Sequence, residues 1–586
     1  MNEARASTVT PIAPPLLLAS ADEGDWSESA DVVVVGWGAA GACAALQARH
    51  EGASVLVIDR FEGGGASALS GGVVYAGGGT AQQQQAGFTD NPQLMQAYLR
   101  HEVNGVVSDA TLARFCQDSV ANQQWLEGHG VRFDATMPDH KTSYPPDGQY
   151  LYYSGNEMVP AYGKHLPPGQ KPAPRGHRVV AKGQSGATLF AALQAATLRA
   201  GAQTLLQATV RRLVCEQGAD GQPARVLGVE IWQMPPGDPR TARHAELHRL
   251  YVRHRTFRAA KAMACLREAA KLEREAAQPR LVRARCGVVL STGGYIFNPE
   301  LIAEHAPHTR RGWPIGDAGC DGSGLRLGQS VGAASDALAN ISSWRFITPP
   351  SVWPKGLVVN RQGERFCNEQ VYGATLGHEL VEHQGGKAWL ILDAGLRRQA
   401  TRQCLFGGLW AFQSLPALAM MWLKAVKAPN AQALAARIGA DPARLQASIE
   451  AANAAAGGQA EDVFGKSADM RHALTGPLLA MDISIGNPLF PLATLSLGGL
   501  RVDEASGQVL TAQGQGLPGL YAAGRSAIGL PSSRYVSGLS LADCVFSGRR
   551  AGRAAAMAPM APEPGSGYKR PASGAGTPPH HHLNIK

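Results

Sequence analysis

A chain of 586 residues is longer than one hydrophobic core can serve, so two domains or one elaborated domain are expected. With 45% hydrophobic residues, 17% charged residues and 69 glycines the composition is globular, which excludes a disordered or fibrous protein. The formal charge of +9 would suit a nucleic-acid binder. However, the segment from Arg240 to Arg285 holds thirteen Lys/Arg against four Glu and carries the whole imbalance, so no nucleic-acid partner is expected.

Taken in chain order, residues 1–28 read as a disordered lead-in. Their apolar patch, Pro11 to Ala19, is broken by three prolines, so it is not a signal peptide. Asp31 to Val35 is a β-branched run of the kind buried on both sheet faces, and it leads into Gly36-Trp37-Gly38-Ala39-Ala40-Gly41 and an Ala-rich helix. In such a GxGxxG turn Gly36 permits the tight bend, Gly38 admits a pyrophosphate to the backbone, and Gly41 lets helix pack on strand. A second strand, Ser54 to Ile58, ends in Asp59, placed to accept ribose hydroxyls, with Arg60 beside it. Gly63-Gly64-Gly65, Ser67, Ser70, Gly71 and Gly72 make a loop so poor in side chains that a planar ligand could lie on its backbone.

Residues 240–280 form a basic insertion, with Leu247, Leu250, Tyr251, Phe257, Ala260, Met263, Ala264 and Leu266 at roughly helical spacing. It packs on its own protein or lies on an anionic membrane. Gly287 to Gly294 is a strand ending in a small-residue turn that includes Gly293 and Gly294. Val358 to Phe366 reads as a hairpin and Asn430 to Ala456 as helical. Leu517 to Gly524 is another strand, and Ser540 and Leu541 open a helix ending near Ala555. His378-Glu379-Leu380-Val381-Glu382-His383 has one residue too many for a zinc-protease helix, and i, i+5 ligands do not share an α-helical face, so no metal is expected. Leu405 to Leu423 lacks charge but is interrupted by Gly407, Gly408 and Pro416; it reads as an apolar surface near a substrate entrance rather than a membrane span. The nine cysteines are scattered without CxxC pairs, which points to a cytoplasmic protein, with membrane association left open. Residues 559–586 read as a disordered tail.

In this order, these motifs resemble the FAD-binding domain shared by fumarate reductase flavoproteins and ketosteroid dehydrogenases. The resemblance implies an α/β fold: a Rossmann-type FAD-binding domain of mixed sheet and helices, in two parts (29–341 and 481–558), with an inserted α+β capping domain at 342–480. It also implies FAD, held by Gly36, Gly38, Ala39, Ala40, Gly41, Asp59, Arg60, Ser67, Ser70, Gly71, Gly72, Gly293, Gly294, Gly524, Ser540 and Leu541. Where fumarate-type members carry two carboxylate-binding arginines, this chain has Gly373 and Tyr535. The pattern is similar to the 3-ketosteroid Δ4-(5α)-dehydrogenases, which implies Tyr372, Tyr535 and Ser537 as catalytic residues.

In a saturated 3-ketosteroid the C4 hydrogen is acidic because it lies α to the carbonyl, while the C5 hydrogen can leave as hydride to the flavin. The expected reaction is therefore C4–C5 dehydrogenation of a flat apolar ketone. Ser537 and Tyr372 would remove the proton, and Tyr535, beside an amide near Gly498 or Gly499, would hold the ketone oxygen. The electron acceptor is not readable. Rival readings are a Δ1-dehydrogenase, a 5β-specific Δ4-dehydrogenase, an enoate reductase, or a membrane-docked flavin-binding protein.

Overall fold

The computed structural model describes residues 8–560; the start of the lead-in and most of the tail, including His580, His581 and His582, lie outside the described residues. The central element is a nine-stranded mixed sheet. Its strands are β1 (Leu16–Leu18), β2 (Trp26–Val35), β3 (Val55–Asp59), β4 (Gln203–Leu206), β5 (Ala208–Gln217), β6 (Pro223–Gln233), β7 (Gln278–Leu290), a short Gln508–Leu510 and the return strand Gly516–Ala522. Their order is β1-β5-β6-β7-β2-β3-β4, with Gly516–Ala522 pairing on the C-terminal end of β7, along the same edge as β6. The pairs β7–β2, β2–β3 and β3–β4 are parallel, which buries both faces and accounts for the Val32–Val35 run.

β2 delivers the chain to helix α1 (Ala39–His50) through the glycine turn. Gly36 has φ +96°, a left-handed conformation that glycine adopts without strain. A Cβ on Gly41 would lie 2.0 Å from the Gly36 carbonyl oxygen, so helix and strand meet there only because that atom is missing. The C-terminal helix, Leu539–Met557, packs on α1 by the same device: added Cβ atoms on Gly548 and Gly552 would meet the carbonyls of Ala40 and Ala44.

Two expectations need correction. Residues 8–28 are ordered into the fold: β1 pairs with β5, the Thr10 amide donates to Asp321, and Arg326 donates to the Thr10 carbonyl. Pairing with a sheet edge overrides the proline-rich composition. The basic insertion is a hairpin of two helices, α2 (Pro239–His254) and α3 (Ala259–Ala276), rather than one continuous helical run. It packs on its own protein through Leu247, Tyr251, Leu266 and Ala269, which gather on Phe61 and Ala318. Glu273 ties it to the sheet by accepting from Arg60 (2.9 Å) and His244 (2.9 Å).

A second apolar core gathers residues from Ile347 to Leu492, reaching past the expected Ala480. It is built on a four-stranded antiparallel sheet of Leu357–Asn360, Ala388–Asp393, Leu478–Asp482 and Val426–Ala428, covered by helices that include Ala431–Ile438 and Pro442–Ala456. The chain enters this unit from β8 (Ile341–Trp344) and leaves it into β9 (Ala493–Ser496), and these two strands pair antiparallel.

Candidate active site and cofactor cavity

The turn after β2, the end of β3 and the start of α1 line a partly open cavity. Of the residues expected to hold the cofactor, Gly36, Gly38, Ala39, Ala40, Asp59, Arg60, Ser67 and Gly293 line it. Gly38 leaves room there: a Cβ would touch nothing closer than Ser67 Oγ at 3.4 Å. The Asp59 carboxylate accepts from the backbone amides of Trp37, Phe61 and Gly63, and burial raises its pKa. Arg60 forms part of the wall, but its guanidinium is taken up by Glu273 and Asp321 and does not reach for a ligand.

Gly41, Ser70, Gly71, Gly72, Gly294, Gly524, Ser540 and Leu541 are not among the lining residues. The glycines among them are closely packed by protein. The Gly71 carbonyl accepts from Tyr144 and Ser185, a Cβ on Gly72 would strike the Ser185 main chain, and Gly294 lies against Ser496. Gly524 is wedged between Ala40 and Cys544.

The cavity wall also contains residues that the sequence motifs did not mark: Trp37, Thr292, Asp317, Cys320 and Arg525. Trp37 Nε1 and Arg525 Nη1 are buried donors with no hydrogen-bond partner among the described residues. Two orphaned donors, an open glycine backbone and the N-terminus of α1 together fit an anionic dinucleotide such as FAD. The adjacency of Arg525 to Gly524 was the available signal.

The second part of the site assembles from four separate chain segments. Tyr372 caps helix α4 (Gly373–His378) and is fixed when its amide donates to Asn156 Oδ1 at 2.7 Å. Tyr152 lies on the short strand Leu151–Tyr152; β8 brings Trp344, and Phe346 follows it. The last segment carries Tyr535 and Ser537. Tyr152 Oη and Ser537 Oγ are 3.0 Å apart and share a hydrogen bond. The Ser537 hydroxyl also approaches Tyr372 closely enough to ease its pKa downward, against a larger rise from burial. Burial raises Tyr152 as well and pushes Tyr535 up to about 12, where the Arg525 charge holds it back. All three phenols are therefore neutral hydroxyls at ordinary pH. Thus the structure brings Tyr372, Tyr535 and Ser537 together and adds Tyr152, whose place in a Leu-Tyr-Tyr-Ser-Gly-Asn-Glu stretch did not by itself reveal it.

The rings around these hydroxyls form a continuous aromatic wall. Tyr535 lies 4.8 Å from Trp344, Trp344 5.7 Å from Phe346, and Phe346 5.5 Å from Tyr372, centroid to centroid. Phe346 fills the space an arginine at position 373 would need, since a Cβ on Gly373 would meet its ring at 2.3 Å. The neighbouring Arg345 does not supply the missing charge. It is buried, donates to the carbonyls of Phe490 and Ser484, and is pushed down to about 9 by burial. His177 is structural: fully buried, hydrogen-bonded to Thr80 at 2.9 Å and lowered to about 4 by burial.

Residues 31–535 match the family described as FAD binding domain. The chain belongs to this family. It is 56% identical over 533 residues to the 3-oxo-5-alpha-steroid 4-dehydrogenase of Comamonas testosteroni, a match covering 88% of this chain and 96% of the relative. It is 28% identical over 558 residues to the 3-oxosteroid 1-dehydrogenase of Mycobacterium tuberculosis, covering 84% and 92%. Among solved structures it resembles the 3-ketosteroid-Δ4-(5α)-dehydrogenase of Rhodococcus jostii RHA1 in complex with 4-androstene-3,17-dione. That match has a TM-score of 0.76 and 28% identity, and covers 93% of this chain and 100% of the other. The fold class and the FAD cofactor expected from the motifs are thereby borne out.

Proposed function

We infer that this chain is an FAD-dependent 3-oxo-5α-steroid dehydrogenase that introduces the C4–C5 double bond. The observation that carries the reading is the 56% identity to the Comamonas enzyme, joined to a site lined with aromatic rings and hydroxyls where a dicarboxylate reductase needs guanidinium groups. Bound FAD supplies the acceptor for the C5 hydride. Tyr535 donates to the C3 oxygen, and one preorganised donor of this kind contributes on the order of 3 kcal/mol at a developing oxyanion. Ser537, partnered by Tyr372, takes the C4 proton. Tyr152 acts as a positioning residue by holding the Ser537 hydroxyl from the other side. The aromatic wall receives the flat apolar face of the substrate and excludes water from the proton transfer.

Anaerobic addition of a saturated 5α-3-ketosteroid to the purified holoenzyme should bleach its flavin absorbance, while fumarate should not reoxidise the reduced enzyme. A flavin that stays oxidised with the 5α-steroid overturns this assignment.

A contact with anionic membrane surfaces is part of the same proposal. No helix of the described residues is long and apolar enough to cross a membrane. The cap nevertheless exposes Leu405, Phe406 (80%), Phe412, Leu415 (65%), Trp422 and Leu423 (78%) within one short stretch. Between Ala394 and Ala440 the sequence has no Asp or Glu but carries Arg397, Arg398, Arg402, Lys424, Lys427 and Arg437. An apolar patch carried on a segment whose only charges are cations complements anionic lipid. From this patch, the rings of Phe412, Trp410 and Tyr144 run inward at 5.3 and 5.5 Å spacing to the loop at Gly71, a route suited to a substrate that partitions into lipid. The enzyme should co-sediment with phosphatidylglycerol-containing vesicles, less with pure phosphatidylcholine, and lose binding in F406E/L423E. Equal binding by that variant removes the proposal.

A further inference from the structure

The segment His378–His383 continues α4, but its hydrogen-bonding changes: Glu379–His383 is a π-turn. In an α-helix, residues five apart point about 140° away from each other, which is why the sequence spacing spoke against a shared metal. A π-turn, bonded i to i+5, brings such residues onto one face, and turns of this kind recur at functional sites. Here one side-chain donor atom each of His378, Glu379 and His383 lies within 4.8 Å of the other two, and the two imidazole rings stand 5.6 Å apart at 86°. Among the described residues, none of these three side chains makes a hydrogen bond or ion pair, so their donor atoms are uncommitted.

The surroundings add a second indication. Glu382, on the same turn, accepts from His308 at 2.9 Å, so the turn is tied to the segment Pro307–Thr309, outside the cap core. The turn therefore lies where the cap meets the rest of the protein, and it closes the helix whose first residue follows Tyr372. Two imidazoles and one carboxylate are the N/O ligand set that zinc-class ions take in three-ligand sites, with water in the fourth position.

We propose that His378, Glu379 and His383 form a binding site for a divalent transition ion of the zinc type, which braces the end of α4 on the cap. The proposal departs from the metal-free expectation because the π-turn changes which residues share a face, which the spacing alone could not show.

The test uses the full-length holoenzyme with Zn²⁺ and Co²⁺ as probes. Because a run of three histidines, His580, His581 and His582, offers competing imidazoles, all measurements are made on a background in which these three are alanine. Calorimetry should show one Zn²⁺ bound per chain. H383A and H378A should each weaken it by more than about 100-fold, since even outer-shell changes cost tenfold or more, and E379Q by a smaller factor. Co²⁺ should give the visible absorption of a low-symmetry four-coordinate site, lost in H383A. His383 is exposed, so H383A should retain the fold, as circular dichroism and FAD content will verify. Unchanged Zn²⁺ affinity in H383A and H378A, or no binding in the background protein, overturns the proposal.

Discussion

Replacing Ser537 by alanine and Tyr152 by phenylalanine, singly and together, tests the hydroxyl pair most directly. The structure gives the two changes different sizes. On the proposed mechanism Ser537→Ala removes the group that takes the C4 proton, and loss of a positioned base costs about 100-fold or more in kcat. Tyr152→Phe keeps the buried ring and leaves no cavity, so only the 3.0 Å hydrogen bond disappears. A neutral bond of this kind is worth about 0.5–1.5 kcal/mol, which corresponds to a loss of roughly two- to thirteenfold if it is fully used in the transition state. Because Tyr152 acts through Ser537, the double variant should be no slower than Ser537→Ala by more than about twofold, a failure of additivity characteristic of groups in one network. The assay is steady-state turnover of a saturated 5α-3-ketosteroid with an artificial electron acceptor, with FAD content and KM measured alongside. The loss in Tyr152→Phe should fall on kcat and leave KM and FAD content unchanged. Strictly multiplicative losses, or full activity in Ser537→Ala, would refute the arrangement.

Other consequences can be measured independently. On the proposed mechanism Tyr372 partners Ser537 in proton removal, and since burial raises Tyr372 this phenol is protonated near neutrality. The kcat should therefore climb with pH from 6 to 9 without a plateau, and a rate that falls over this range contradicts the hydroxyl mechanism. Gly373→Ala puts a methyl group 2.3 Å from Phe346, so overpacking of about 1–3 kcal/mol should displace the aromatic wall and cut steroid turnover more than about tenfold, without conferring fumarate reduction. Asp543 is pushed up to about 6 by burial. Its protonated form is favoured by folding, so that contribution is complete below pH 4 and is lost as pH rises through 6; Asp543→Asn should gain on the wild type by about 3 kcal/mol between pH 4 and 8 in denaturant titrations, and a pH-independent difference disproves it. Glu273→Gln removes the negative charge and one of the two acceptor oxygens that Arg60 and His244 share, Arg60 keeping Asp321, and should lower unfolding free energy by about 3 kcal/mol, with looser retention of FAD; an unchanged melt would show that the helical hairpin docks by its apolar face alone.

What could be read from the chain ahead of its structure followed from whether the physical cause was local. The turn at Gly36 to Gly41 was legible because a buried β-branched strand, a positive φ and a close helix–strand approach are each imposed within a few residues. The exchange of arginines for Gly373 and Tyr535 was legible for the same reason, yet its cause was not: the residue excluding an arginine is Phe346, far away in sequence and brought there by β8. Tyr152 reaches Ser537 across 385 positions of sequence, so only the fold could pair them. Small residues are the hardest to assign from sequence. Gly71, Gly72, Gly294 and Gly524 are small because Tyr144, Ser185, Ser496 and Cys544 press on them, and a glycine's sequence looks the same whether a cofactor or another side chain occupies the space it leaves. Arg525 shows the converse. A long cation after a glycine carries no motif, yet one of its nitrogens is buried, unpaired and on the wall of the same cavity as the glycine turn, and its charge opposes the rise that burial imposes on Tyr535, contacts that only the fold creates.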